Sequence, residues 1–217
     1  MKMKARNKIL LLALCMAALI AVSVLGTMAY LTSTDKVINT FTVGKVDIKL
    51  DEAKVGTDGK ALTGNQASRV KKNTYKLLPG HTYNKDPMVT VLSGSESSYV
   101  KMTVTFSKAN ELDAIFAPTG ADLTSIFKGY DVATWIAKGN TKDTTANTRT
   151  YEFWYKEAVG APTADVTLDA LFDSITVPGT ITGEQLKTIE GMTITVNAYA
   201  IQADGFADAA AAWAAFN

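Results

Sequence analysis

The run SYVKMTVTF, Ser98 to Phe106, constrains the fold more than any other stretch of this chain. Val100, Met102, Val104 and Phe106 alternate with Lys101, Thr103 and Thr105. A period of two belongs to a strand with one buried and one wet face, so a layer of antiparallel sheet over an apolar core is expected here. Much of the remaining sequence reads the same way. Val37 to Leu50 is strand-like with a parity slip: Phe41 and Val43 share one parity, Val46, Ile48 and Leu50 the other, and Gly44 lies between. Either a bulge at Gly44 or two short strands turning at VGK satisfies that pattern. Asp51 to Lys72 reads as an exposed polar connection. Tyr75–Leu78 and Pro87–Leu92 flank PGHTYNKDP, where two prolines and Gly80 punctuate the backbone.

Further along, Asn110–Phe116 and Ala121–Phe127 are expected as two short helices broken by APTG. The polar KGNTKDTTANTR lies between VATWIA and TYEFWYKEAV and implies a long hairpin. SITV and MTITVNAYAIQA add two strands. Between them TGEQLKTIEG predicts a short helix capped by Thr182 and stopped by Gly191. The chain closes on DGFADAAAAWAAFN, where Phe206, Ala209, Trp213 and Phe216 share a face at helical spacing. Such a helix either docks on its own sheet or packs on a neighbouring subunit, which makes Phe206, Trp213 and Phe216 candidate subunit contacts. The expected fold is all-β: a jelly-roll-like β-sandwich with a few short peripheral helices, preceded by an N-terminal signal helix.

That signal helix is expected from the first 29 residues. Lys2, Lys4, Arg6 and Lys8 precede an apolar run from Ile9 to Leu25, and the small residues Thr27 and Ala29 follow. This is the order of a secretory signal peptide, with cleavage expected between Ala29 and Tyr30. The apolar run is at the short limit for spanning a bilayer, so an uncleaved anchor is the alternative. Residues 1–29 are therefore assigned to the signal and 30–217 to a single domain, with 30–43 as its leading arm. Cys15, the only cysteine of the 217 residues, lies in the apolar run behind Leu14, which is too large for a lipidation site. The mature chain would then have neither disulfide nor thiolate chemistry. Four of the 22 basic residues leave with the signal and all 21 acidic ones stay, so no basic stripe remains for nucleic acid. With no LPxTG-type tail, release rather than covalent anchoring is expected, and membrane contact only before cleavage.

Catalytic constellations are scarce. His81 is the only histidine, so an HExxH zinc site, which needs two histidines on one helix face, has no ligands to draw on. No G-x-S-x-G elbow is present, and LSGSESS is a serine-rich turn. Asp51, Glu52 and Asp58 in DEAKVGTDGK are candidates for weak cation binding, although TDG is more simply a turn. Carboxylates for a glycosidase pair exist, with nothing to single two of them out. Trp135, Tyr151, Phe153, Trp154 and Tyr155 crowd the central hairpin, some as core and others as a candidate carbohydrate or partner face. No enzyme, cofactor or metal is expected.

Three blocks carry a resemblance. The first contains Gly26-Thr27, Ala29-Tyr30, Thr34-Asp35, Asn39, Phe41-Thr42, Gly44, Val46-Asp47-Ile48 and Leu50; the others are LLPGHTYNKDPMVTVLSGSESSYVKMTVTF and ITVNAYAIQADGFADAAAAW. Together they resemble the TasA/camelysin (CalY) family of Gram-positive proteins processed by a SipW-type signal peptidase. The resemblance implies a β-sandwich, secretion to the cell surface or extracellular matrix, and a role as a biofilm matrix-fibre subunit. Its partners would be the SipW-type peptidase, further copies of itself joined head to tail, or related matrix proteins. The stretch from about Ser107 to Ile175 does not align with the founding members. The peptidase activity attributed to camelysins lacks its zinc-binding histidines here.

The leading expectation is thus a structural subunit whose arm, Tyr30 to Val43, adds as a strand to the next copy, with Ile38, Phe41 and Val43 as anchors and Gly44 as hinge. The arm completing its own sheet is the alternative. Other classes are a cell-surface hydrolase (a camelysin-like peptidase) and a monomeric adhesion module. A Lys–Asn isopeptide crosslink, Lys49 with Asn197 for example, would be a further device.

Overall fold

The computed structural model describes residues 7–9, 12–18, 44–116 and 127–216. The chain divides into two units, Met1–Thr42 and Val43–Asn217. Of the first unit, residues 7–9 and 12–18 are helical and their side chains, Cys15 among them, are exposed. No helix among the described residues is long and apolar enough to cross a membrane.

The second unit is mostly antiparallel β-structure with a few short helices. One sheet is built from β1 (Ile48–Ala53), β2 (Arg69–Val70), β4 (Met88–Val91) and β9 (Val166–Thr167), in the order β2-β1-β4-β9. A second contains β5 (Ser98–Ser107), β7 (Trp135–Asp143), β8 (Thr148–Tyr155) and β11 (Ile194–Gln202), in the order β11-β5-β8-β7. A small third sheet, β3-β10-β6, joins β3 (Thr82–Asn84), β6 (Phe127–Lys128) and β10 (Ser174–Thr176). The helices are α1 (Ala109–Phe116), α2 (Gly183–Thr188) and α3 (Ala209–Ala215), with one 3₁₀ turn at Gly64–Gln66.

The alternation at Ser98–Ser107 is realised along the whole of β5, whose even-numbered side chains are buried and odd-numbered ones half-exposed. Val100, Met102, Val104 and Phe106 meet Val89 and Val91 of β4, Tyr151 and Phe153 of β8, and Leu168, Leu171 and Phe172 in one core. Phe127 is the aromatic hub of that core: its ring lies 4.5 Å from Phe172 and about 6 Å from Phe106, Tyr151 and Phe153. The sequence places Phe127 at the end of a helix. Here it opens β6, and the rest of the expected helix, Ala121 to Ile126, lies outside the described residues.

Other elements differ in instructive ways. The hairpin exists, but its strands run through the polar segment, leaving only residues 144–147 as the turn. Its tip is wet on both faces, so no apolar alternation marks it. The Asp143 carboxylate accepts from the Thr145 and Ala146 N–H groups, and Asn147 takes the left-handed φ of 52° that closes the turn. A bulge falls in β7 between Ala137 and Gly139, while the parity slip expected at Gly44 rests on Val37–Val43, which lie outside the described residues. Gly44–Asp47 is not strand. Glycine suits Gly44 because Glu96 packs so closely that a Cβ would sit 2.8 Å from its Cγ. Asp51–Lys72 is only partly an exposed connection, since it holds the end of β1, the 3₁₀ turn and β2, with Asp51 and Glu52 buried. PGHTYNKDP contains β3. Thr182 caps α2 through a reciprocal box with Gln185, but the helix ends at Thr188, ahead of Gly191.

Candidate functional site

Strand β11 is the edge of its sheet: it pairs with β5 and with no other strand among the described residues. The ladder bonds at its two ends fix which backbone groups are spent. Ser107 N–H donates to Thr193 O (3.0 Å), and Ala203 N–H donates to Ser97 O (2.7 Å). In an antiparallel pair, hydrogen-bonded and non-hydrogen-bonded residues alternate. Odd-numbered residues of β11 therefore bond to β5. The N–H and C=O groups of Ile194, Val196, Ala198 and Ala200 point instead to the open side.

The same reasoning applies to β1. Leu92 N–H donates to Asp47 O (2.9 Å), continuing the β1–β4 register, so Lys49 and Asp51 bond to β4. On its other flank β1 meets β2 only at Glu52 and Ala53. The backbone groups of Ile48 and Leu50 point away from β4 and have no strand partner among the described residues, and β1 and β11 come within 8 Å of each other at their Cα atoms. Between and beside them runs a groove of about 1870 Å³. The side chains of Ile48, Leu50, Ile194, Val196 and Ala198 line it and are only partly buried where they meet the core. Its far wall carries Tyr75 and Leu77, from the second apolar cluster.

Backbone groups without a partner among the described residues, beside an apolar seam, are what an incoming strand requires. Natural sheets blunt such edges with charges, proline or bulges. From Ile194 to Gln202, ITVNAYAIQ has none of these. An ion-pair network borders the groove. Burial works to raise the pKa of the Asp51 carboxyl, but the Lys49 ammonium (2.7 Å) and the Arg69 guanidinium outweigh it and hold it below the ordinary value. Asp113 behaves likewise: burial opposes ionisation, and Lys142 and Arg149, each 2.7 Å away, more than compensate.

Thr27, Ala29 and Tyr30 of the expected cleavage site, and Ile38, Phe41 and Val43 of the arm, lie outside the described residues. Trp213 of α3 is 7% exposed. It packs on the outer face of its own sheet beside Trp154, with the Lys101 ammonium 4.7 Å from its ring centre. Phe216 touches Tyr199 and remains 37% exposed, and Phe206 is half-buried. The hairpin aromatics are similarly engaged. Trp135, Tyr151 and Phe153 are buried, Tyr155 stacks edge-on against Trp135, and Trp154 lies under Lys138 and Trp213.

His81 is exposed, beside the Tyr83 ring. The carboxylates weighed for cation binding have other partners: Asp51 its two cations, Glu52 the Lys85 ammonium, and Asp58 the Lys60 N–H. Among the described residues no three His, Cys, Asp or Glu side chains gather as metal ligands do. The β1–β11 seam was not singled out from the sequence. The available signal was the uncharged ITVNAYAIQ itself, a long strand with no further strand-like run after it. Compared with known proteins, the chain matches no protein-family model, no curated protein and no solved structure.

Proposed function

We propose that this protein is a secreted structural subunit of an extracellular matrix or biofilm fibre on a Gram-positive cell surface. A signal peptidase of the SipW type would cut after Ala29. The freed arm, residues 30–43, would then enter the β1–β11 groove of another copy. The observation that carries this reading is the uncharged edge of β11, which pairs with β5 alone among the described residues and runs close to β1. The incoming backbone would satisfy the even-numbered groups of β11, while Ile38, Phe41 and Val43 would cover the exposed margin of the core. Each copy both donates and accepts on different surfaces, so the contact is heterologous and propagates as a filament. The jelly-roll-like β-sandwich belongs to the same proposal, with the arm as the strand that fills the seam between the sheets.

Two chains test it, one beginning at Tyr30 and one at Gly44. The longer should assemble into filaments visible by electron microscopy and light scattering. The shorter should fold and stay monomeric, because the acceptor remains and nothing fills it. If the shorter chain polymerises as readily, strand donation is wrong.

A further inference from the structure

Lys85 and Glu52 are both only 7% exposed, at the margin where β1 meets the segment linking β3 to β4. The Lys85 Nζ lies 2.6 Å from Glu52 Oε2. The other oxygen of the same carboxylate, Oε1, accepts from Asn73 Nδ2 at 3.0 Å. One buried carboxylate thus holds a primary amine on one side and a carboxamide on the other. The amide is oriented as well: its Oδ1 accepts from the Val55 N–H (3.0 Å), and its Nδ2 also donates to Ala53 O (2.8 Å). The Tyr75 phenol lies near the cluster and donates to Asn84 O (2.9 Å); burial, then the neighbouring Glu52 charge, push its pKa up. Ion pairs withdrawn from water are the setting in which a proton can pass from ammonium to carboxylate, because neither charge is solvated.

We propose that Lys85 and Asn73 join in an intramolecular isopeptide bond, with Glu52 as the proton carrier. Glu52 takes a proton from the Lys85 ammonium, and the free Nζ attacks Asn73 Cγ. The oxyanion forming at Oδ1 is held by the Val55 N–H. Glu52 returns the proton to Nδ2, the Cγ–Nδ2 bond breaks, and ammonia leaves, taking up the remaining proton from Nζ as ammonium. One ammonium side chain and one primary amide become a secondary amide and free ammonium, so no oxidant or cofactor is needed. The bond would close residues 73–85 into a ring that carries Tyr75 and Leu77, pinning one wall of the groove. Lys49, the other lysine considered for such chemistry, is paired with Asp51 instead.

Mass spectrometry of the folded full chain tests this without a variant. The intact mass should be lower than the sequence value by one ammonia. Trypsin, unable to cut at an acylated Lys85, should release residues 73–76 joined to residues 77–101 as a single branched peptide. Separate peptides cleaved at Lys85, with the intact mass at the sequence value, would mean an ion-pair clasp only and overturn the proposal. Lys85→Arg keeps the pairing with Glu52 but cannot form the amide, and Glu52→Gln removes the proton carrier. Both should show the full mass, and a deficit persisting in either, once confirmed as folded by circular dichroism, would place the chemistry elsewhere and equally overturn it.

Discussion

At Asp51 a side chain from an apparently exposed connection ends up 6% exposed because Lys49 and Arg69 reach it from β1 and β2. Leaving such a carboxylate charged and unpaired would be strongly unfavourable, so the fold and the pairing require one another. The consequence for pH has a definite sign. A folded-state pKa held below the unfolded value stabilises the protein above about pH 4, and that contribution is lost as pH falls through the folded value. Asp51→Asn is therefore expected to lower the melting temperature at pH 7 and to flatten its fall below about pH 4. Thermal melts across that range check this, and equal melting temperatures for the two proteins at pH 7 would contradict it.

Among the elements, those with a strong local signal were legible. β5 announced itself by strict alternation, α2 by its capping box, and α3 by its apolar face. Elements stabilised by distant partners were not. β3 is three residues inside a proline- and glycine-rich loop, held by pairing with β10. β6 is two residues long, and Phe127 is held there by its packing in the core rather than by a local strand pattern. The groove was illegible for a related reason: an edge is a property of strand order, and strand order joins β11 to β5 across a long stretch of intervening chain. The alternation along β11 yields its own test by amide hydrogen exchange. In monomers the Val196 and Ala198 amides should exchange fast and those of Asn197 and Tyr199 slowly. Assembly should slow Val196 and Ala198 by more than an order of magnitude and leave the other two protected. Unchanged exchange at Val196 and Ala198 in filaments would place the subunit contact elsewhere.

For the whole molecule, the proposed strand donation puts the arm of one copy in the β1–β11 groove of another rather than in its own. Chains beginning at Tyr30 contain no cysteine, because Cys15 precedes that point, so introduced thiols report without background. Phe41→Cys in one population can be mixed with Ile194→Cys, Val196→Cys or Ala198→Cys in a second, then oxidised and analysed by non-reducing electrophoresis and peptide mapping. Strand donation between copies is expected to give a disulfide linking position 41 of one chain to β11 of the other in at least one pairing, growing into ladders when both cysteines share a chain. If the doubly substituted chain instead closes on itself as a monomer and the mixed populations never join, the arm completes its own sheet, and the fibre-subunit account loses its mechanism.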